Sequence, residues 1–101
     1  MKNKFELKYS PEFYNDFYAI NLYIKYKLKN PIASDNLIKK VKKEIKRRLE
    51  NPKDFEQYKT KKGNVYYRIY INNYIIFYTI TNNIMEIRRI IYSRRNFEKL
   101  I

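Results

Sequence analysis

The sequence predicts an α+β fold of the order β-α-α-β-β-β, in which an antiparallel helix hairpin packs on an antiparallel sheet and a short C-terminal tail or helical turn follows. Two segments whose apolar residues recur every three or four positions, residues 11–28 and 31–50, are typical of helices. Three β-type runs follow them, and an Asn-Asn pair lies at each junction between runs. At 101 residues the chain has room for one core, so we expect a single domain over residues 1–101.

The chain begins with a predicted strand from Phe5 to Tyr9 and a helix that continues to about Leu28. Ser10 is suited to capping an orphan amide, and Pro11 fits the first helical position. The predicted core-facing stripe of this helix is Phe13, Phe17, Ile20, Ile24 and Leu28. The stripe is widened by Tyr14, Tyr18 and Tyr23. Part of this aromatic surface is expected to remain accessible to a partner.

A break at Lys29-Asn30-Pro31 separates this helix from a second one, which ends at Asn51-Pro52. Such a short connection predicts that the two helices form an antiparallel hairpin. The apolar residues of the second helix recur at four-residue spacing: Ala33, Leu37, Val41, Ile45 and Leu49. Its other faces carry Lys39, Lys40, Lys42, Lys43, Lys46, Arg47 and Arg48. Such a basic run more often marks a solvated face than a binding site.

A polar loop from Lys53 to Asn64 leads into the sheet. The three predicted strands, joined by turns at the asparagine pairs, are Val65–Ile71, Tyr74–Thr81 and Ile84–Tyr92. In the first of them, alternation directs one set of side chains toward the helices: Val65, Tyr67, Ile69 and Ile71. The other set, expected on an open face, is Tyr66, Arg68 and Tyr70. The tail from Arg94 to Ile101 is expected to be anchored by Phe97, Leu100 and Ile101.

The net charge of +13 favours polyanionic partners such as nucleic acid, the ribosome or an acidic protein. A lysine-rich proteome is the plainer explanation, and the abundance of Asn, Ile and Tyr is consistent with it. The chain has no histidine and no cysteine, so we expect no metal, no disulfide and no small-molecule cofactor. No run approaches the roughly 20 apolar residues that span a bilayer, and the N-terminus lacks an apolar signal core. We therefore expect a cytoplasmic protein without membrane contact.

Four segments together resemble the RelE/ParE superfamily of bacterial type II toxins: YSPEFYNDFYAI in the first helix, Tyr67-Arg68 entering the sheet, NYIIFYTI in the middle strand and RRIIYSRRNFEKL at the end. The resemblance covers nearly the whole chain in the same order. It implies a small toxin with a cognate antitoxin as partner. In many members of the superfamily a histidine occupies the position of Tyr92, whereas this chain has Tyr92 followed by Ser93.

On this resemblance we expect the toxin to cleave mRNA on the ribosome without a metal. Such cleavage needs a base for the 2′-hydroxyl, cations for the phosphate and an acid for the leaving oxygen. We assign the cationic clamp to Arg68 with Arg94 or Arg95. The base is a lysine of the loop, Lys61 or its neighbours Lys59 and Lys62, provided that nearby cations make it easier to deprotonate. Tyr92 is the candidate acid, with stacking on a base as its alternative role. The expected substrate-binding residues are Lys59, Lys62, Tyr66, Tyr70, Arg95 and Phe97.

Two other functions remain open: a ParE-like toxin that binds and inhibits DNA gyrase, and a non-toxic basic module that docks RNA or an acidic protein. The long hairpin and the missing histidine favour the former. For any toxin, the expected partner is an acidic antitoxin that folds on binding over the first helix and the basic sheet. Individual cations also have structural alternatives. Arg68 fits a cation–π contact between tyrosines, and Arg88 and Arg89 fit ion pairs with Glu12, Asp16 or Glu86.

Overall fold

The computed structural model describes residues 4–101, and its elements follow the predicted order with one strand added. The helices are α1 (Pro11–Leu22), continued by a π-helical turn (Tyr23–Lys27), and α2 (Pro31–Glu50). The strands are β1 (Glu6–Tyr9), β2 (Gln57–Lys59), β3 (Val65–Ile71), β4 (Tyr74–Thr81) and β5 (Ile84–Tyr92). A 3₁₀ turn (Phe97–Lys99) follows, as the predicted tail or helical turn. Within the described range, neither helix is both long and apolar enough to cross a membrane.

The strands form one five-stranded sheet in the order β1-β5-β4-β3-β2. The predicted antiparallel meander of β3, β4 and β5 is confirmed, and Asn72 and Asn82 adopt the left-handed φ angles of 52° and 57° that their tight turns require. The edge strand β1 pairs with β5 in parallel, with Tyr9 opposite Ile87. The sheet is therefore mixed at this edge rather than wholly antiparallel.

The prediction that Lys53 to Asn64 is a loop throughout is wrong, because β2 lies within it. This strand pairs antiparallel with β3 and places Tyr58 opposite Tyr66. Its three residues, QYK, are too few and too polar to produce an alternating pattern in the sequence. The ring of Tyr58, which packs near Phe77 and Phe97, gives the strand its apolar support instead.

Both helices begin at the predicted breaks and have side-chain caps. The Ser10 hydroxyl accepts a hydrogen bond from the Phe13 amide at 3.1 Å and donates one to the Arg88 carbonyl at 2.6 Å. Ser10 therefore caps α1 and also ties it to β5. The Asn30 side chain accepts a bond from the Ala33 amide at 3.0 Å and caps α2.

The hairpin packs on one face of the sheet and encloses the main core. Its centre is a set of almost fully buried residues that includes Val41 and Ile45 of α2 and Ile76, Tyr78 and Ile87 of the sheet. These residues confirm that the four-residue spacing in α2 marks its buried face. Because this cluster buries more apolar side chains than the cluster on the other face of the sheet, it contributes more to the stability of the fold.

Two residues predicted to face this core do not. Leu28 is 55% exposed because the helix changes to π geometry at Tyr23, where the Leu28 amide donates to the Tyr23 carbonyl five residues back. The wider turn ends the 3.6-residue periodicity on which the prediction depended. Val65 is 44% exposed because it begins β3 at the rim of the sheet.

The other face of the sheet is covered at its centre by the C-terminal segment (residues 93–101). Phe97, Leu100 and Ile101 pack here, which confirms them as anchors, against a second buried cluster that contains Tyr66 and Phe77. The expectation of an open face is therefore wrong at this position. Tyr66 is only 8% exposed, because the chain end folds back over it, and alternation within one strand cannot predict that return.

Candidate functional site

Arg68 lies on the face covered by the C-terminal segment, between two tyrosine rings. Its guanidinium carbon is 4.6 Å from the ring centre of Tyr58 and 5.6 Å from that of Tyr70. Tyr58 comes from β2, so the added strand supplies half of this arrangement. Tyr70 is 62% exposed and leaves its ring available to a ligand. The geometry agrees with the cation–π interpretation, and it keeps Arg68 close to the surface.

The Tyr58 hydroxyl donates a hydrogen bond to the Glu98 carboxylate. Glu98 is not among the predicted site residues. The same carboxylate accepts a bond from the Lys61 amide at 3.1 Å. The bond from Tyr58, followed by that from Lys61, holds the pKa of Glu98 below its ordinary value of 4.5. The bond to Glu98, followed by burial, raises the pKa of Tyr58. The pair connects the C-terminal segment to β2.

A shallow groove of about 400 Å³ opens beside this pair. It is lined by Lys61, Lys62, Asn96, Glu98 and Lys99. The groove contains three lysines and one carboxylate, that of Glu98, which already accepts two hydrogen bonds. The ammonium groups of the lysines are therefore the donors that the groove offers, and they suit an anion. Two predicted site residues, Lys61 and Lys62, are brought together here.

Tyr92 lies at the opposite end of the sheet from this groove. It pairs with Tyr74 of β4, and the centres of the two rings, which meet edge to face, are 5.9 Å apart. Tyr74 in turn pairs with Ile71 at the end of β3, whereas Lys59 pairs with Val65 at its start. The seven residues of β3 span about 20 Å. The predicted acid, Tyr92, and the predicted base, Lys61, therefore belong to opposite ends of the sheet.

The remaining predicted residues are spread over the same side. Arg94 and Arg95 are exposed in the turn that leaves β5, and the Arg95 amide donates to the Tyr92 carbonyl at 3.0 Å. Lys59 is exposed at the end of β2. Phe97 is half-buried and packs 5.3 Å from the ring of Phe77, which makes it an anchor of the segment. Tyr66 is buried beneath that segment, so its assignment to an open binding face is corrected.

Comparison with known families gives one match. The model of a family described as the ParE toxin of the type II toxin–antitoxin system parDE matches residues 7–97. The chain belongs to this family. The resemblance to RelE/ParE superfamily toxins is thereby confirmed, and an antitoxin is its expected class of partner. Comparison with curated proteins found no match.

In this ParE-family toxin, two of the arginines that follow the middle strand are structural. Arg89 donates to both oxygens of Asp16, at 2.6 and 2.9 Å, and to the Leu100 carbonyl at 2.8 Å. Asp16 also accepts from the Ile90 amide at 3.2 Å. Arg88 pairs with Glu86 at 2.8 Å. These pairs confirm the structural alternative for both cations, and Arg89 fastens α1 and the C-terminal segment to β5.

Two residues of the candidate site, Tyr58 and Glu98, were not predicted from the sequence. Tyr58 stands in the segment predicted as a loop, and Glu98 is an acidic residue in a tail dominated by cations. A signal existed for Glu98: it is the one carboxylate between Asn96 and the chain end, next to a predicted anchor. Its partner could not be inferred, because the contact joins residues 40 positions apart.

Proposed function

We propose that this toxin stops growth by binding its target without cutting RNA, and that DNA gyrase is the target. The observation that carries the proposal is the separation of Lys61 from Tyr92. General acid–base cleavage requires both groups within hydrogen-bond reach of one phosphodiester. Tyr92 ends β5 at one end of the sheet and Lys61 lies in the turn after β2 at the other, and the seven residues of β3 span the distance of about 20 Å between these ends. The Tyr92 ring packs edge to face with that of Tyr74 and is partly exposed, which leaves it available to a partner surface.

The other expected clamp residues support the same proposal. Arg68 is enclosed by Tyr58 and Tyr70, which favours contact with a partner surface through a cation and two rings. Arg94 and Arg95 are exposed on a turn, and no salt bridge among residues 4–101 holds their guanidinium groups. Aromatic residues and arginine are enriched at protein interfaces, and rate acceleration demands a more rigid arrangement.

Ribosome-dependent mRNA cleavage is the second candidate, favoured by the groove. Glu98, with its lowered pKa, is an ionised carboxylate beside Lys61 and Lys62. A carboxylate base and two lysines are a possible set for attack by a 2′-hydroxyl. In this alternative the chemistry uses one end of the sheet only, and Tyr92 takes no part.

An assay with both targets decides between the candidates. Purified toxin is added to gyrase with relaxed plasmid and, separately, to ribosomes with mRNA. We expect loss of supercoiling and intact mRNA. The paired change Lys61→Gln and Lys62→Gln should leave supercoiling inhibition nearly intact, whereas Tyr70→Ala should weaken it. Cleaved mRNA together with normal supercoiling would contradict the gyrase proposal and support ribosome-dependent mRNA cleavage.

We further propose that the antitoxin covers the aromatic side of the hairpin. Tyr14, Tyr18, Leu22 and Tyr26 recur every four residues along α1 and the π-helical turn, and all are exposed, Tyr18 by 68%. Single exposed apolar residues are common on protein surfaces, whereas a continuous apolar stripe marks an interaction site. An acidic segment that folds on binding would bury it and meet the positive charge of the toxin. Both parts of the proposal imply a toxin that acts in the cytoplasm.

Co-purification with the antitoxin encoded beside it tests this surface. Tyr18→Glu should weaken the complex by at least about tenfold, since it places a charge in an apolar contact. Tyr70→Glu is the matched control, because Tyr70 is comparably exposed on the other side of the sheet. Equal loss in both variants would contradict a contact at α1.

A further inference from the structure

The exposed face of α2 carries a line of cations that neither the core nor the groove uses. Lys39, Lys43, Lys46 and Arg47 follow the spacing i, i+4, i+7, i+8, which places them on one side of a helix. They lie opposite the buried residues Val41 and Ile45. The line extends over about 12 Å of helix axis.

These cations have few partners within the molecule. Among residues 4–101, the salt bridges include one member of the line, Arg47, which pairs with Glu44 at 3.3 Å. Lys39, Lys43 and Lys46 are exposed. Like charges three and four residues apart destabilise a helix. The helix dipole compensates cations only in the last turn, which Lys39 and Lys43 do not reach. The arrangement therefore opposes the stability of α2 and points to an external anion.

We infer that this face of α2 binds the phosphate backbone of duplex DNA. A duplex presents one negative charge per about 1.7 Å of axis, so a line of about 12 Å meets several phosphates. An α-helix with side chains is about 10–12 Å wide, which fits the major groove of B-form DNA, whereas that of duplex RNA is too deep and narrow.

The composition of the face favours nucleic acid over a protein partner. Protein interfaces have an apolar centre and are depleted of lysine. Between Lys39 and Arg47 the outward line contains no apolar side chain, and the exposed aromatic residues, among them Tyr18 and Tyr70, lie outside α2. Phosphate contacts need no apolar area. DNA binding at α2 does not depend on the proposed target, because it is measured without gyrase.

Fluorescence anisotropy of a labelled mixed-sequence DNA duplex of about 20 base pairs, two helical turns, tests the inference at several salt concentrations. The triple change Lys39→Gln, Lys43→Gln and Lys46→Gln should weaken binding at least about tenfold and reduce the salt slope by about three. The charge-matched control is Lys8→Gln, Lys25→Gln and Lys27→Gln, which removes exposed lysines from other elements. Circular dichroism verifies that both variants are folded.

Three outcomes would overturn the inference. An equal loss in the control variant would assign the binding to total charge. Equal or tighter binding of an RNA duplex of the same length would exclude recognition through the B-form groove. If polyglutamate competes with the labelled duplex as well as unlabelled DNA does at the same concentration of charge, and only when the α2 lysines are present, the face is assigned to an acidic protein. Inhibition of gyrase supercoiling is measured separately. If the triple variant loses DNA binding but still inhibits supercoiling, the proposed target is not contradicted.

Discussion

The two faces of the sheet are built in different ways. The helix-facing side is closed by α1 and α2 over a continuous apolar core in which Ile76, Tyr78 and Ile87 have no measurable exposure. The opposite side is closed by nine residues of chain end over a smaller cluster. There the cover is held by polar contacts as well, from Arg89 to the Leu100 carbonyl and from Tyr58 to Glu98. The first face provides stability, and the second combines modest stability with the exposed cations and rings of the candidate site.

The largest expected difference between the faces is in the cost of removing a buried aliphatic side chain. Ile87→Ala should lower the free energy of unfolding by about 3–4 kcal/mol, because the enclosed core cannot collapse into the cavity. Ile101→Ala, on the other face, should cost about 2 kcal/mol, since the smaller cluster around it can collapse more completely. Urea unfolding of both variants measures the contrast. Equal losses would show that the C-terminal segment is as rigid as the hairpin.

The Asp16–Arg89 pair connects the faces, and its loss should come next in size. The two side chains are 16% and 21% exposed, so Asp16→Asn leaves a largely buried guanidinium short of its counter-charge. We expect a loss of roughly 2–3 kcal/mol, somewhat below that of a fully buried pair. Glu86→Gln is the control, because the Arg88–Glu86 pair is 43% and 33% exposed and should contribute under about 1 kcal/mol. Thermal unfolding of the two variants measures this contrast. An equal decrease in their two melting temperatures would contradict the ranking.

A smaller effect is expected for Arg68 on the site face. Arg68→Gln removes the cation between Tyr58 and Tyr70 and should lower stability by about 0.5–1 kcal/mol. Its effect on growth inhibition should exceed that of Arg95→Gln, which changes an exposed cation of the same kind. If Arg68→Gln lowers stability but leaves toxicity unchanged, Arg68 is structural only.

The smallest effect is a pH dependence confined to the C-terminal segment. The pKa of Glu98 is lowered in the folded protein, so its contribution is present above the ordinary value of 4.5 and is lost as pH falls through the folded value. The pKa of Tyr58 is raised from 10.0, so the same bond is present below pH 10.0 and is lost as pH rises through the folded value.

The amide chemical shift of Lys61, which donates to Glu98, reports this acid transition by NMR. In Glu98→Gln the transition should disappear, while the shifts of α1 stay unchanged. A transition that persists in this variant would have to come from another carboxylate.

The sequence predicted what depends on local chemistry. The Ser10-Pro11 start of α1, the cap role of Ser10 and the asparagine turns each follow from the conformational preferences of a few neighbouring residues. The spacing of Leu37, Val41 and Ile45 likewise determined the buried face of α2. In α2 this spacing repeats often enough along the helix to leave a clear signal in the sequence.

What the sequence did not predict depends on contacts between distant residues. β2 forms because Tyr58 reaches Phe77 and Glu98, and Tyr66 is buried because the chain end returns over it. The separation of Tyr92 from Lys61 likewise follows from strand register, which no local pattern encodes. Alternation along β3 predicted that Arg68 and Tyr70 lie on the face away from the helices, but it did not predict how the side chains on that face are grouped.

The parallel pairing of β1 with β5 has a consequence for how the toxin is made. Among residues 4–101, β1 pairs with β5 alone, and Ser10 likewise bonds to Arg88, 78 residues away. Contacts of such high sequence separation form late and slow folding. During synthesis β1 must therefore wait until β5 has been made before it can join the sheet. A nascent chain that stops before Ile84 contains the hairpin but cannot complete this edge, so β1 joins the sheet only after the helices and the other strands have been synthesised.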